Sequence, residues 1–196
     1  MPSILIRPPT FSSATAPPEW QSPTVTWLTE TWHVTHSSLP MWKSKRNVRI
    51  QYTPLPPSDS SIASEHSDRI DDLVSYQSLD GDKVSTVHGI DKLADKSGDS
   101  RDSWDWRGKG LLKVASSHWE VLGYGEEDNG RKWVVTAFAS TLFTPAGIDI
   151  YSQHAEGTQV ETLEEVRAAL SKVDDKDVKK MAADLFEIKR DGARKD

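Results

Sequence analysis

Alternating apolar and polar residues mark a series of short β-strands along the chain. The first run covers Thr24–Ser37 and is rich in tryptophan and β-branched residues, which favour strands. Further runs lie at 47–53, 73–79, 83–90, 110–116, 118–125, 131–141 and 147–154. Turn sequences such as Asp80-Gly81 and Asn129-Gly130 separate them, as in β-hairpins. We therefore predict an all-β protein with about eight to ten strands in the order of an up-and-down barrel.

The pattern changes at both ends of the chain. Residues 1–23 hold six prolines, so they predict an extended N-terminal arm before a barrel domain at 24–158. After that, apolar residues recur at helical spacing, for example Leu163, Val166 and Leu170. We expect one or two C-terminal helices within 159–189 that pack on the barrel, followed by a charged tail at 190–196.

Strand alternation separates the residues of the first two strands into two faces. The more apolar face of the first strand is expected to point inward, and its members are Leu28, Glu30, Trp32, Val34 and His36. The expected inward set of the second strand is Val48, Ile50 and Tyr52. This assignment places one carboxylate, one imidazole and one phenol inside the barrel or at its mouth.

Composition and charge narrow the possible partners and the cellular setting. The 196 residues carry a net charge of −6, which lacks the basic footprint of a nucleic-acid-binding protein. The absence of cysteine excludes disulfides and thiolate metal sites and fits a reducing compartment. No apolar stretch is long enough for a secretory leader or a membrane span. We therefore expect a cytoplasmic protein without a membrane span.

A long first strand with a tryptophan, a strand meander and a C-terminal helix resemble the calycins, the group of lipocalins and fatty-acid-binding proteins. Thr31-Trp32 lies where lipocalins carry a Gly-x-Trp motif, although the glycine is replaced here. The resemblance covers about residues 24–170 and implies a closed barrel with a cavity for an apolar small molecule. The carboxylate clamp of fatty-acid-binding proteins has no equivalent, since Arg49 and Tyr52 are three residues apart and face opposite sides of a strand.

The first functional hypothesis is a barrel that binds an apolar or aromatic small molecule. Eight tryptophans are available to line such a cavity. The candidate ligand-binding residues are Trp32, Val34, Ile50, Trp119 and Trp133. Trp119 and Trp133 fall on neighbouring predicted strands and are expected to meet as a cross-strand pair.

The second hypothesis is a cofactor-free enzyme on the same scaffold, a lyase, isomerase or cyclase. Glu30, His36 and Tyr52 would then be the catalytic residues, because burial moves carboxylate and imidazole pKa values toward neutrality. The competing interpretation is that Glu30 pairs with a basic residue at the rim and that His36 merely ends the strand. Strand alternation alone does not decide between these interpretations.

Three further hypotheses concern metals, haem and a protein partner. His33 and His36 point apart on a strand, so we predict no metal site there and no cofactor. If the barrel bound haem, His118 or His154 would be the ligand. In the last alternative the barrel is packed solid, and the apolar faces of the C-terminal helices form a homodimer.

Overall fold

A computed structural model describes residues 4–12, 14–61, 67–95 and 100–194. It contains eight long strands, one short C-terminal strand and three α-helices. The strands are β1 Thr31–Ser37, β2 Lys45–Pro54, β3 Arg69–Ser78, β4 Val84–Leu93, β5 Ser103–Gly108, β6 Ser116–Glu126, β7 Lys132–Phe138, β8 Gly147–Ser152 and β9 Phe186–Glu187. The helices are α1 Val25–Leu28, α2 Val160–Lys172 and α3 Lys176–Ala183.

The first eight strands form a closed antiparallel barrel. Each strand pairs with the next one in sequence, and β1 pairs with both β8 and β2, which closes the sheet. Loops β1–β2, β3–β4, β5–β6 and β7–β8 therefore share one end of the barrel, which we call the mouth. The predicted all-β fold, an up-and-down barrel followed by helices, is confirmed.

The prediction that the first strand begins at Thr24 is wrong. The Thr24 hydroxyl caps a helix by accepting a hydrogen bond from the Trp27 amide at 3.1 Å, and the strand starts only at Thr31. Threonine is a favoured N-cap residue, which explains the local choice of a helical turn over a strand. The Trp32 indole donates to the Leu28 carbonyl at 2.9 Å, so helix α1 is joined to the base of the barrel.

A β-bulge changes the face of the last residues of β1. Val34 is opposite Tyr151, but His36 is opposite Ile150, so Thr35 is the extra residue. Ile150 belongs to the cluster beneath the helices, and opposed residues share a face. His36, which we expected to point inward, therefore lies on the outer side of the barrel.

The helices pack on the outside of the barrel. Val166 and Leu170 of α2 and Val178 and Met181 of α3 are buried in one cluster with outward residues of β7 and β8. The apolar helix faces that suggested a homodimer are thus covered within a single chain. Across the described ranges, no helix is both long and apolar enough to cross a bilayer.

Residues 186–191 lie in the gap between the end of β1 and the start of β2, which we call the seam. Strand β9 pairs with His36 and Ser37 at the end of β1, where β1 no longer pairs with β2. On the other side of the seam, the Asn47 amide donates to the Lys189 carbonyl at 2.9 Å. Asp191 forms an ion pair with Arg46 and accepts a hydrogen bond from the Asn47 side chain at 2.8 Å.

Candidate functional site

The barrel encloses a cavity of about 950 Å³ that extends to the mouth. It reaches from the loops of the mouth to the middle of the barrel, and most of its inner wall is aromatic or aliphatic. The inward residues that line it are Leu39, Trp42, Ile50, Tyr52, Asp72, Val74, Trp106, Trp119, Phe138 and Asp149. A space of this size is typical of small-molecule sites.

Stacked rings form the deep wall of the cavity. The Tyr52 and Trp119 rings are nearly parallel, with centroids 5.3 Å apart and planes 6° from parallel. Trp104 stacks on the other side of this group, at 6.2 Å from Trp119. Tyr52 and Trp119 line the cavity, and Trp104 packs against Trp119 in the buried core, so the two lining rings present a rigid aromatic surface.

Three aspartates point into the barrel. Asp72 is opposite Tyr52, Asp91 is opposite Trp106, and Asp149 is bonded to inward-facing Ser37. Asp72 and Asp149 line the cavity, whereas Asp91 lies one layer deeper, behind Trp119. All three are buried. Ionised carboxylates are costly to bury, so such a group signals either a role or a partner.

Asp91 and Asp149 receive hydrogen bonds from indoles but remain hard to ionise. Burial raises the pKa of Asp91 to about 7, although the hydrogen bond from Trp119 at 2.8 Å acts in the opposite direction. Burial likewise raises the pKa of Asp149 to about 7, against hydrogen bonds from Ser37 and Trp42. Both carboxylates are therefore about half ionised near neutral pH.

Of the three aspartates, Asp72 has the least stabilisation of its ionised form. Its pKa is well above the usual value because the side chain is buried and because the Asp91 charge is close. Within the described residues, its Oδ1 atom and the Oδ2 atom of Asp91 are buried without a hydrogen-bond partner. In the same part of the chain, no lysine, arginine or histidine forms an ion pair with any of the three aspartates.

The predicted ligand-binding residues divide between three places. Ile50 and Trp119 line the cavity. Trp32 and Val34 are fully buried in the interior core toward the base. Trp133 lies outside, in the cluster beneath the helices. The prediction that Trp119 and Trp133 meet across strands is wrong, since Trp119 is opposite Phe138 and Trp133 is opposite Gly125.

The three residues named for proton transfer are not brought together. Only Tyr52 lines the cavity, where burial raises its pKa well above the usual value. Glu30 is half-buried at the base of the barrel and pairs with Lys132 at 3.1 Å. His36 lies under the helices, where burial, together with Arg167 and Arg190, lowers its pKa to about 4.

The two histidines named for haem lie away from the cavity interior. His118 is on the outer face of β6, hydrogen-bonded to Asp105 at 2.8 Å and to Glu120 at 3.0 Å. His154 follows β8, and its side chain is half-exposed near Glu156. Within the described residues, acidic and histidine side chains do not form a group of three able to hold a metal ion.

Our sequence interpretation missed all three buried aspartates of the barrel interior. We predicted strands at 73–79 and 83–90, which placed Asp72 and Asp91 in loops, whereas the strands extend to Arg69 and Leu93. The informative pattern is a single acid within an otherwise apolar inward face, as in Ile70, Asp72 and Val74. Asp149 shares such a face with Tyr151.

The fold is similar to that of solved lipocalins. Apocrustacyanin A1 of lobster matches with a TM-score of 0.54 and 9% sequence identity, over 84% of this chain and 78% of that one. The amine-binding protein of Rhodnius prolixus, in its tryptamine complex, matches with a TM-score of 0.52 and 16% identity, over 81% of this chain and 76% of that one. No protein-family model matches the sequence, and no curated protein matches it significantly. These likenesses confirm the lipocalin-like, calycin-type barrel.

Proposed function

We propose that this protein binds a small organic cation in its barrel, an aromatic or apolar molecule with a protonated amine or a quaternary ammonium group. The observation that carries the proposal is Asp72. Its carboxylate is buried in the cavity wall, and Oδ1 has no hydrogen-bond partner among the described residues. A bound ammonium group would supply both the missing donor and the missing charge.

The surroundings of Asp72 suit the rest of such a molecule. The Tyr52 and Trp119 rings provide flat apolar surface, and aromatic faces also attract cations. Asp149 offers a second carboxylate nearer the mouth, between Ser37 and Trp42. Without a ligand, the two cavity acids are held partly neutral by burial, so a cation that binds would draw them into the ionised state.

This proposal refines the apolar ligand expected from the sequence. The barrel from Rhodnius prolixus binds tryptamine, but that likeness concerns the fold, and the aspartates of this chain support a cationic ligand independently. The enzyme hypothesis is not favoured, because its three residues lie in separate places. A location in the cytoplasm stays a prediction from the cysteine-free sequence.

The test compares aromatic ligands of different charge. Calorimetric titrations would use tryptamine and acridine orange as cations, 3-methylindole as a neutral indole, and anilinonaphthalene sulfonate as an anion. We expect the cations to bind at least about tenfold more tightly than the neutral and anionic probes. Tighter binding of the neutral or anionic probe would contradict the proposal of a cationic ligand and would favour an apolar ligand instead.

Two adjacent aspartates of β3 provide a matched pair of variants. Asp72→Asn should weaken tryptamine binding at least about tenfold, since it removes the buried charge. Asp71→Asn is the control, because Asp71 lies on the outer face and pairs with Lys109 and with His88 at 2.8 Å. We expect the control to change tryptamine affinity less than about twofold. Equal effects of the two variants would contradict a role for Asp72.

A further inference from the structure

Apolar side chains project from three of the four loops at the mouth. Leu142 is 95% exposed, Phe143 93% and Val114 91%, and Leu111 is fully exposed. Met41, in the β1–β2 loop, is also exposed. Met41, Val114, Leu142 and Phe143 border the cavity, so these tips surround one opening and form a single surface. Large apolar residues grouped in this way mark an interaction site.

Two of the three loops that carry the apolar tips are basic. Residues 38–44 contain Lys43, residues 109–115 contain Lys109 and Lys113, and residues 139–146 carry no charge. Of these lysines, Lys109 forms an ion pair with Asp71. Lys43 and Lys113 are exposed, and Arg107 is exposed beside them at the end of β5. The fourth loop, 79–83, contains two aspartates, of which Asp82 forms an ion pair with the Arg46 guanidinium at 2.6 Å.

The opposite end of the barrel has the opposite charge. Among the described residues of its three connections, 55–61, 67–68, 94–95, 100–102 and 127–131, six are acidic and two are basic. An acidic protein thus carries a basic, apolar rim around its cavity. An anionic surface would attract the rim and repel the base, which orients the barrel with its opening toward that surface.

We propose that the mouth docks on anionic lipid membranes. Apolar tips and exposed cationic side chains on one rim suit the interfacial region of a bilayer, where apolar groups enter the acyl boundary and cationic groups meet lipid phosphates. The tips stand on three loops, and the side chains of Leu111, Val114, Leu142 and Phe143 are almost completely exposed. Such isolated projections can each enter a fluid lipid layer without requiring a complementary protein surface. The proposal is independent of the ligand.

The experiment measures sedimentation of the protein with phosphatidylcholine vesicles, with and without phosphatidylserine. We expect binding to vesicles that contain phosphatidylserine and loss of that binding in high salt. The double variant Leu142→Ser, Phe143→Ser should reduce partitioning at least about tenfold, because it removes two apolar insertions. Val160→Ser is the matched control, since Val160 is exposed on α2 away from the mouth, and it should leave partitioning unchanged.

A second pair of variants tests the charge. Lys113→Glu should weaken binding to phosphatidylserine vesicles several-fold, whereas Lys179→Glu on the exposed face of α3 should not. No sedimentation with either vesicle, or equal losses from mouth and control variants, would overturn the proposal. A second outcome would also overturn it. If vesicles failed to bind and the double variant Leu142→Ser, Phe143→Ser dissociated a dimer in sedimentation velocity, the mouth would be a self-association surface.

Discussion

The Trp119 indole donates a hydrogen bond from Nε1 to the Asp91 carboxylate at 2.8 Å, while its ring stacks on Tyr52 in the cavity wall. One side chain thus contacts a buried carboxylate behind the wall and contributes to the ring surface in front of it. The hydrogen bond fixes the ring, so the wall is formed before a ligand arrives. The same contact ties the position of Trp119 to the ionisation of Asp91.

Cation binding should weaken as the pH falls below 7. Burial raises the free-state pKa of Asp149, which lines the cavity, to about 7, so this carboxylate is mostly ionised at pH 8 and mostly protonated at pH 6. A cation at pH 6 must first displace that proton. For trimethyltryptammonium, whose charge is permanent, we expect at least about tenfold weaker binding at pH 6 than at pH 8, and the raised pKa of Asp72 acts in the same direction.

The measurement is the dissociation constant of trimethyltryptammonium across this range, from calorimetric titration. Asp149→Asn should reduce the pH dependence by about tenfold between pH 6 and pH 8, since asparagine does not titrate there. An affinity that is constant or that rises toward pH 6 would show that Asp149 does not face the cation.

Gly89→Ala should disturb the cavity through Trp106. A methyl group at Gly89 would lie 2.1 Å from the Trp106 Nε1 atom, so the indole would have to move. Trp106 lines the cavity, and we expect weaker tryptamine binding together with a loss of about 1–3 kcal/mol in the free energy of unfolding. Gly81→Ala is the control, because an added Cβ there has no heavy atom within 4 Å. Calorimetric titration measures the tryptamine affinity, and urea unfolding measures the free energy of unfolding. If Gly89→Ala and Gly81→Ala gave the same values, the contact with Trp106 would not be the reason that residue 89 is a glycine.

Arg7→Met should destabilise the fold strongly. Arg7 lies over the Trp20 ring and pairs with Asp102 at 3.2 Å and Glu120 at 2.7 Å, all of them buried except the tryptophan. Although burial alone would raise the pKa of Glu120, hydrogen bonds from His118 and Thr10 lower it to about 2. The variant would therefore remove the guanidinium that the buried Asp102 and Glu120 carboxylates share, although His118 still pairs with Glu120, at a cost of about 3–5 kcal/mol.

Urea unfolding at neutral pH checks this value. The double variant Arg7→Met, Glu120→Gln should recover part of the loss, because the unpaired charge is removed with its partner. Lys172→Met, on the exposed face of α2, controls for the loss of a surface cation. If Arg7→Met lowered the free energy of unfolding by less than about 1 kcal/mol, water would be able to replace the arginine as a partner of these carboxylates.

Sequence reasoning predicted the barrel because strand alternation and turn residues are local signals. It correctly placed Ile50 and Tyr52 on the inward face of the second strand, where simple alternation holds. It failed at His36, because the bulge at Thr35 depends on how β1 meets β8. It also failed at Asp72, since an acid near a strand end resembles the start of a loop until pairing with β2 and β4 extends the strand.

The seam between β1 and β2 has a consequence for biosynthesis. These two strands leave the ribosome early, yet their shared edge is completed by residues 186–191, which are made after all eight barrel strands. Until then the nascent polypeptide carries unpaired backbone groups at Ser37 and Asn47, an edge open to aggregation. The last step in closing this edge must therefore wait until residues 186–191 have been made, however early the eight barrel strands pair.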